Sequence, residues 1–214
     1  MASHLGQLEA RLAIRAVVFD IGGVLEYTPA TGWGKRWEAR LGFEPGGLTS
    51  RMAEPWHAGV HGQISEAALE QRSAEILGLG RAQLDELMAD LWAEYLGTLN
   101  AELKAYFAGL RPRYRTAILS NSFVGARERE QAHYGFGDCC DLIVYSHEVG
   151  LSKPDPRVYA LTCQRLGVAP EEAIFLDDVE QNVVAARACG LHAILFRDNA
   201  QAIATIEALL ETEG

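Results

Sequence analysis

The sequence contains no lysine- or arginine-rich run, and 29 acidic residues against 19 basic ones leave a formal net charge of −10. Such a chain lacks the positive stripe that holds a nucleic-acid backbone or an anionic lipid surface, so neither is expected as a partner. An anionic small substrate would then need local cationic groups or a metal. No apolar stretch is long enough to span a bilayer. Residues 1–15 scatter charges and show no apolar h-region, so no signal peptide is expected. Cysteine is scarce and unpatterned: Cys139, Cys140, Cys163 and Cys189 include no C-x-x-C pair, and no histidine stands at zinc-finger spacing from them. They read as reduced core thiols of a cytoplasmic protein.

What is present is a chain of 214 residues, 49% hydrophobic, enough for one full core and a small extra lobe. Short apolar runs recur, and polar groups follow them. Residues 16–19 lead to Asp20, with Gly22 and Gly23 just beyond; 116–119 lead to Ser120, Asn121 and Ser122; 142–145 precede Lys153-Pro154-Asp155-Pro156; 173–176 lead to Asp177 and Asp178; 193–196 form the last run. Runs of this length read as buried strands, and the paired glycines mark a turn where backbone approaches something closely.

Between 33 and 96 the pattern turns helical. Trp33, Trp37 and Leu41 lie one turn apart, and Leu84, Leu87, Met88, Leu91, Trp92 and Tyr95 form one face. Ser65 is an N-cap for a helix that Gly78-Leu79-Gly80 ends, and Asn100 caps the next, with Pro112 past its end. Residues 26–31 read as an exit loop, and 8–12 as a short helix in the leader. Strands then alternate with helices at 157–166, at 183–189 and after the last run. The expected fold is α/β: a doubly wound parallel sheet, from 1–28 and 98–214, with an all-helical cap, 29–97, inserted after the first strand.

Ligands of such sheets sit outside the carboxyl ends of the strands, where Asp20, Ser120, Lys153, Asp177 and Asp178 all fall. Acidic groups converging in one crevice repel unless a cation lies among them, and hard oxygen donors select Mg²⁺. A carboxylate is also a nucleophile. Lys153 supplies fixed positive charge, and the Ser120 hydroxyl and Asn121 backbone N–H supply donors for a charged oxygen. Together these groups describe phosphoryl transfer to Asp20 and then to water.

Phe-Asp-Ile-Gly-Gly-Val-Leu, Leu-Ser-Asn-Ser, Lys-Pro-Asp-Pro and Leu-Asp-Asp-x-x-x-Asn, in this order, resemble the four motifs of haloacid dehalogenase-like hydrolases, over nearly the whole chain from Ala16. The details resemble the branch containing the phosphatase half of soluble epoxide hydrolases and bacterial sugar-1-phosphate phosphatases. The resemblance implies a Rossmann-like core with a helical cap and a Mg²⁺-dependent phosphatase acting on a small phosphorylated substrate. It implies Asp20 as nucleophile and metal ligand, with the Gly22 carbonyl and Asp178 as further ligands. Ser120, Asn121, Lys153 and the Gly22-Gly23 turn would hold the phosphoryl group, and Asp177 and Asn182 would support the site.

The chain departs from that pattern at one position. Most phosphatases of the family carry a second aspartate two residues after the nucleophile, as general acid and base, and here Gly22 stands there. Good leaving groups, such as those of sugar 1-phosphates or acyl phosphates, are then favoured, and Glu26, a cap residue or water is a substitute acid to examine. Two alternatives share the same residues: a 2-haloacid dehalogenase, which needs neither acid nor metal, and a phosphate-binding module with little activity. Among the remaining residues, His57 and His61 are read as cap surface or lining, His147 as a solvated loop histidine, Cys139 and Cys140 as inert, and Trp33, Trp37, Trp56 and Trp92 as cap core.

Overall fold

The computed structural model describes residues 13–211; the helix expected at 8–12 lies outside them. In chain order the elements are β1 (Ala16–Phe19), β2 (Glu26–Tyr27), α1 (Trp33–Leu41), α2 (Gly47–Val60), α3 (Glu66–Leu77), α4 (Arg81–Leu96), β3 (Thr98–Leu99), α5 (Ala101–Gly109), β4 (Arg115–Ser120), α6 (Ala126–Tyr134), α7 (Phe136–Cys139), β5 (Leu142–Tyr145), α8 (Ser146–Val149), α9 (Pro156–Leu166), β6 (Ala173–Asp177), α10 (Glu180–Ala188), β7 (His192–Leu195) and α11 (Asn199–Glu211).

Five strands form one parallel sheet in the order β5-β4-β1-β6-β7. The chain leaves the central strand β1 to build one side through β4 and β5, then crosses to β6 and β7. This reversal of strand order opens a crevice at the carboxyl end of β1. The strands read as unbroken apolar runs because helices cover both faces. Val17, Phe19, Ile118, Ile174 and Leu176 pack against Leu103 and Phe107 of α5 and Ile206 of α11. Ala16, Val18, Ala117, Leu119 and Phe175 pack on the other face, against Val158 and Tyr159 of α9 and Val183 of α10.

Register sets the depth of each site residue. Phe19 pairs with Ile118 of β4 and Leu176 of β6. Asp20 therefore emerges level with Asp177 and one residue before Ser120, and its N–H extends the ladder to the Leu176 carbonyl at 2.9 Å. The expected caps are present: Ser65 accepts from Ala68 N–H and Asn100 from Leu103 N–H.

Helices α1 to α4 pack as a unit around Trp37, Leu48, Met52, Leu69, Leu87 and Trp92, and Phe123, Val124 and Ala126 of the sheet domain join that cluster. The exit loop expected at 26–31 begins instead as a strand. Glu26 pairs with Leu99 and Tyr27 with Thr98 in an antiparallel ribbon, so the chain leaves for the cap and returns from it through the same hydrogen-bonded pair. Two-residue strands carry no periodicity, and their partners lie some seventy residues apart. At the far side, Ser146 Oγ donates to the Val60 carbonyl of α2 at 2.9 Å, a second tie between cap and sheet.

Candidate active site

Burial and charge converge on Lys153. Its side chain is 1% exposed, and its ammonium lies 2.6 Å from Asp20 Oδ1 and 2.7 Å from Asp177 Oδ2. The loop that delivers it is clamped by Asn121: Lys153 N–H donates to Asn121 Oδ1 at 2.7 Å, and Asn121 Nδ2 donates to the Lys153 carbonyl at 2.8 Å. The Asn121 side chain thus positions the lysine, a role the sequence reading did not assign. Its backbone N–H remains the group expected to face a phosphoryl oxygen.

Asp20 Oδ1 also accepts from Ile21 N–H at 2.8 Å. Among the described residues both donors fall on Oδ1 and none on Oδ2, and Asp20 lines the crevice. Burial raises the Asp20 carboxyl well above its ordinary range; Lys153 opposes the rise, and the Asp177 charge adds to it. Two buried carboxylates sharing one ammonium are short of positive charge.

Asp177 is saturated differently. Besides Lys153 it accepts from Val179 N–H at 2.8 Å and, through both oxygens, from Asn182 Nδ2 at 3.1 Å. Asp178 is exposed and folds over the glycine turn. A Cβ on Gly23 would stand 2.2 Å from Asp178 Oδ2, and Gly23 has a φ of +72°, so only glycine leaves room for that carboxylate. Loss of water contact, and then the Asp177 charge, raise the Asp178 carboxyl.

Ligand oxygens of Asp20, Asp177 and Asp178 lie within 4.8 Å of one another. An all-oxygen acidic set beside a glycine that admits no side chain fits a hard divalent cation such as Mg²⁺. Ser120, Gly22, Gly23 and Asn182 line the same crevice, so every residue that the motif resemblance assigned to the site is brought to one place. Thr28, Tyr27 and Val179 also line it and were not expected. Thr28 follows the turn by only a few residues, which is the one signal that could have marked it.

Other expectations are corrected. Glu26, considered as a substitute acid on the exit loop, is 2% exposed, accepts from Thr28 Oγ1 at 2.8 Å, and is pushed up to about 7 by burial. It does not line the crevice: its carboxylate lies against Gly97, where the chain returns from the cap. Of the tryptophans, Trp37 and Trp92 are buried cap core, and Trp33 and Trp56 pack against that core half-buried while also lining a cavity between cap and sheet. His147 is half-buried on α8, hydrogen-bonded to Ser122 Oγ at 2.6 Å, and burial lowers its pKa. Behind the site, Glu130 of α6 is buried among Tyr95 and Tyr145, both hydrogen-bonded to it, and burial raises its carboxyl to about 7.

Comparison with known proteins agrees with this geometry. Residues 14–190 match the model of the haloacid dehalogenase-like hydrolases. "Acyl-CoA dehydrogenase family member 10" of Mus musculus is 30% identical over 213 residues, covering 92% of this chain and 19% of that protein. This chain therefore spans about a fifth of that relative, and 39% of a "Bifunctional epoxide hydrolase 2" from Sus scrofa. "Phosphatase MT3486" of Mycobacterium tuberculosis is 30% identical over 86% of this chain and 88% of its own. "(S)-2-haloacid dehalogenase 1" of Pseudomonas sp. is 30% identical over 87% and 78%. The solved magnesium complex of enzyme bt-2542 from Bacteroides thetaiotaomicron superposes with a TM-score of 0.78 at 19% identity, over 90% of this chain and 99% of that one. On this match and this fold, the chain belongs to the haloacid dehalogenase-like hydrolase family.

Proposed function

We propose that the protein is a Mg²⁺-dependent phosphatase that hydrolyses a small phosphorylated metabolite through an aspartyl-phosphate on Asp20. The observation that carries this reading is the buried Asp20 held 2.6 Å from Lys153 in a cluster of three carboxylates. A dianionic phosphate enters such a cluster only where cations offset its charge.

Asp20 Oδ2 attacks phosphorus, the bond from phosphorus to the leaving oxygen breaks, and the electron pair departs with that oxygen. Water then attacks the phosphorus of the aspartyl-phosphate and frees the carboxylate. Lys153, the Ser120 hydroxyl and the Asn121 backbone N–H hold the equatorial oxygens as charge develops on them. Asp20, Asp178 and the Gly22 carbonyl would hold Mg²⁺, which when bound offsets charge between the nucleophile and the phosphoryl oxygens. Asp177 and Asn182 act as supports, the first by holding Lys153 and the second by holding Asp177. Residues 29–97 act as a cap over a core of 1–28 and 98–214 and exclude water from the crevice.

Gly22 provides no proton, so turnover favours leaving groups that depart as stable anions. The test is phosphate release from acetyl phosphate with Mg²⁺ and with chelator. Mg²⁺-dependent turnover is expected; phosphate binding without turnover identifies a binding module instead. The same carboxylate suits a dehalogenase, whose halide also leaves without a proton. Halide release from 2-chloropropionate in metal-free buffer, with no phosphate release in Mg²⁺, replaces the phosphatase reading by that one.

A further inference from the structure

A cavity of about 350 Å³ lies between cap and sheet beside the Asp20 crevice, with Thr28 and Asn121 in the walls of both. Three cap helices and the loop after β4 build it from Trp33 of α1, Trp56 of α2, Leu91 and Tyr95 of α4, and Phe123. Trp33 and Trp56 meet edge to face, with ring centroids 6.2 Å apart. Trp92 backs the wall through edge contacts to Tyr95 and Phe123, at 5.2 and 6.1 Å. Aromatic walls of this kind accept a flat ring by stacking or edge contact.

Most of the polar side chains around this cavity are engaged within the chain, among them Thr28, which donates to Glu26, and Asn121, which holds the Lys153 loop. The Glu94 carboxylate accepts from Thr31 N–H at 2.9 Å, Ser122 Oγ is bonded to His147, and the Tyr95 hydroxyl is bonded to Glu130. A sugar ring placed here would bury hydroxyls with few partners, at a cost that an apolar group avoids. The volume is near the lower end of small-molecule sites and suits one ring or two fused rings. Gly22, meanwhile, supplies no proton and so favours a departing oxygen of low basicity.

Building on the phosphatase reading, we propose that the substrate is a phosphate ester of a weakly basic oxygen on a flat apolar group, as in an aryl or enol phosphate, and that this group occupies the cavity. Phosphorus binds at Asp20, the bridging oxygen passes Thr28 and Asn121, and the ring lies between Trp33, Trp56 and Phe123.

The test is kcat/KM, with Mg²⁺, for 2-naphthyl phosphate, phenyl phosphate, glucose 1-phosphate and acetyl phosphate. Each methylene-sized increment of buried apolar group is worth about fourfold. The naphthyl ester, whose leaving oxygen closely matches that of phenyl, should therefore exceed phenyl by about tenfold or more. It should exceed glucose 1-phosphate by about a hundredfold. Trp56→Ala should lower the naphthyl-to-acetyl ratio by about tenfold, and Leu91→Phe, which fills the space instead of emptying it, should lower it too. Calorimetry on both variants separates this from unfolding. Turnover of acetyl phosphate with naphthyl no faster than glucose 1-phosphate, or a ratio unmoved in both folded variants, overturns the substrate class and leaves the phosphatase reading standing. No turnover of any ester overturns both.

Discussion

Replacing Lys153 by methionine keeps the length of the side chain and removes its charge. The Lys153 side chain is 1% exposed, the Asp20 side chain 10% and the Asp177 side chain 0%, so the variant leaves two carboxylates facing each other with little water and no fixed cation. Breaking a buried pair in this way costs about 3–5 kcal/mol. The cost depends on pH. Burial already raises Asp20, and Lys153 is the main influence lowering it, so its removal raises that carboxyl further. A carboxyl raised in the folded state contributes stability that is complete below its unfolded value and is lost as pH rises through the folded one. The deficit of Lys153→Met should therefore be small near pH 5 and reach its full size near pH 8. Urea denaturation in metal-free buffer reads it as a fall in midpoint of about 1–2 M at pH 8, for a slope of about 2–3 kcal/mol/M. Adding Mg²⁺ should restore part of the loss, because a divalent ion takes the place of the missing charge among Asp20, Asp177 and Asp178. A variant as stable as the wild type at pH 8 without metal would refute the view that Lys153 is the cation on which this acidic cluster depends.

Gly22 is exposed, lacks a positive φ, and a Cβ there would meet nothing within 4 Å, so Gly22→Asp fits without strain. Hydrolysis of an alkyl phosphate should rise by about tenfold or more, with little change for acetyl phosphate; no rise would mean another group already donates the proton. Gly23→Ala should displace Asp178, lowering apparent Mg²⁺ affinity by about tenfold or more in an activity titration, and an unchanged titration would remove Asp178 from the metal site. Glu130 is raised from 4.5 to about 7 by burial, so the folded chain keeps a proton that the unfolded chain loses, and stability falls as pH rises between these values. Glu130→Gln should flatten that fall by about 1–3 kcal/mol between pH 5 and 8, measured by denaturation, and an unaltered slope would show the carboxylate to be ionised in the fold.

The strands and their polar ends were legible because a sheet covered on both faces needs continuous apolar segments, and because Asp20, Ser120 and Asp177 follow those segments directly. Asp178 was distinguishable from Asp177 only through the motif resemblance. The structure adds the physical difference: Asp177 is spent on Lys153, Val179 and Asn182, whereas Asp178 leans over Gly23. Glu130 could not be read at all. It sits in Arg-Glu-Arg-Glu, a pattern of a solvated helix face, and it is buried only because Tyr95 of the cap and Tyr145 of β5 meet it from elements distant in sequence. Trp33 keeps its one-turn spacing to Trp37 and Leu41 whether it fills the cap or faces a ligand, and nothing beside Trp56 in the sequence marks which it does. Their position at the cavity follows from how α1 and α2 lie over the sheet, which periodicity does not encode.

The central claim is that Asp20 accepts the phosphoryl group. Acid quench of the wild type during turnover of acetyl phosphate with Mg²⁺, followed by peptide mass spectrometry, reads this directly. The account predicts one phosphoryl group on the peptide carrying Asp20, lost together with all turnover in Asp20→Ala. Undiminished phosphate release by Asp20→Ala, or a phosphoryl group on another side chain, would contradict it.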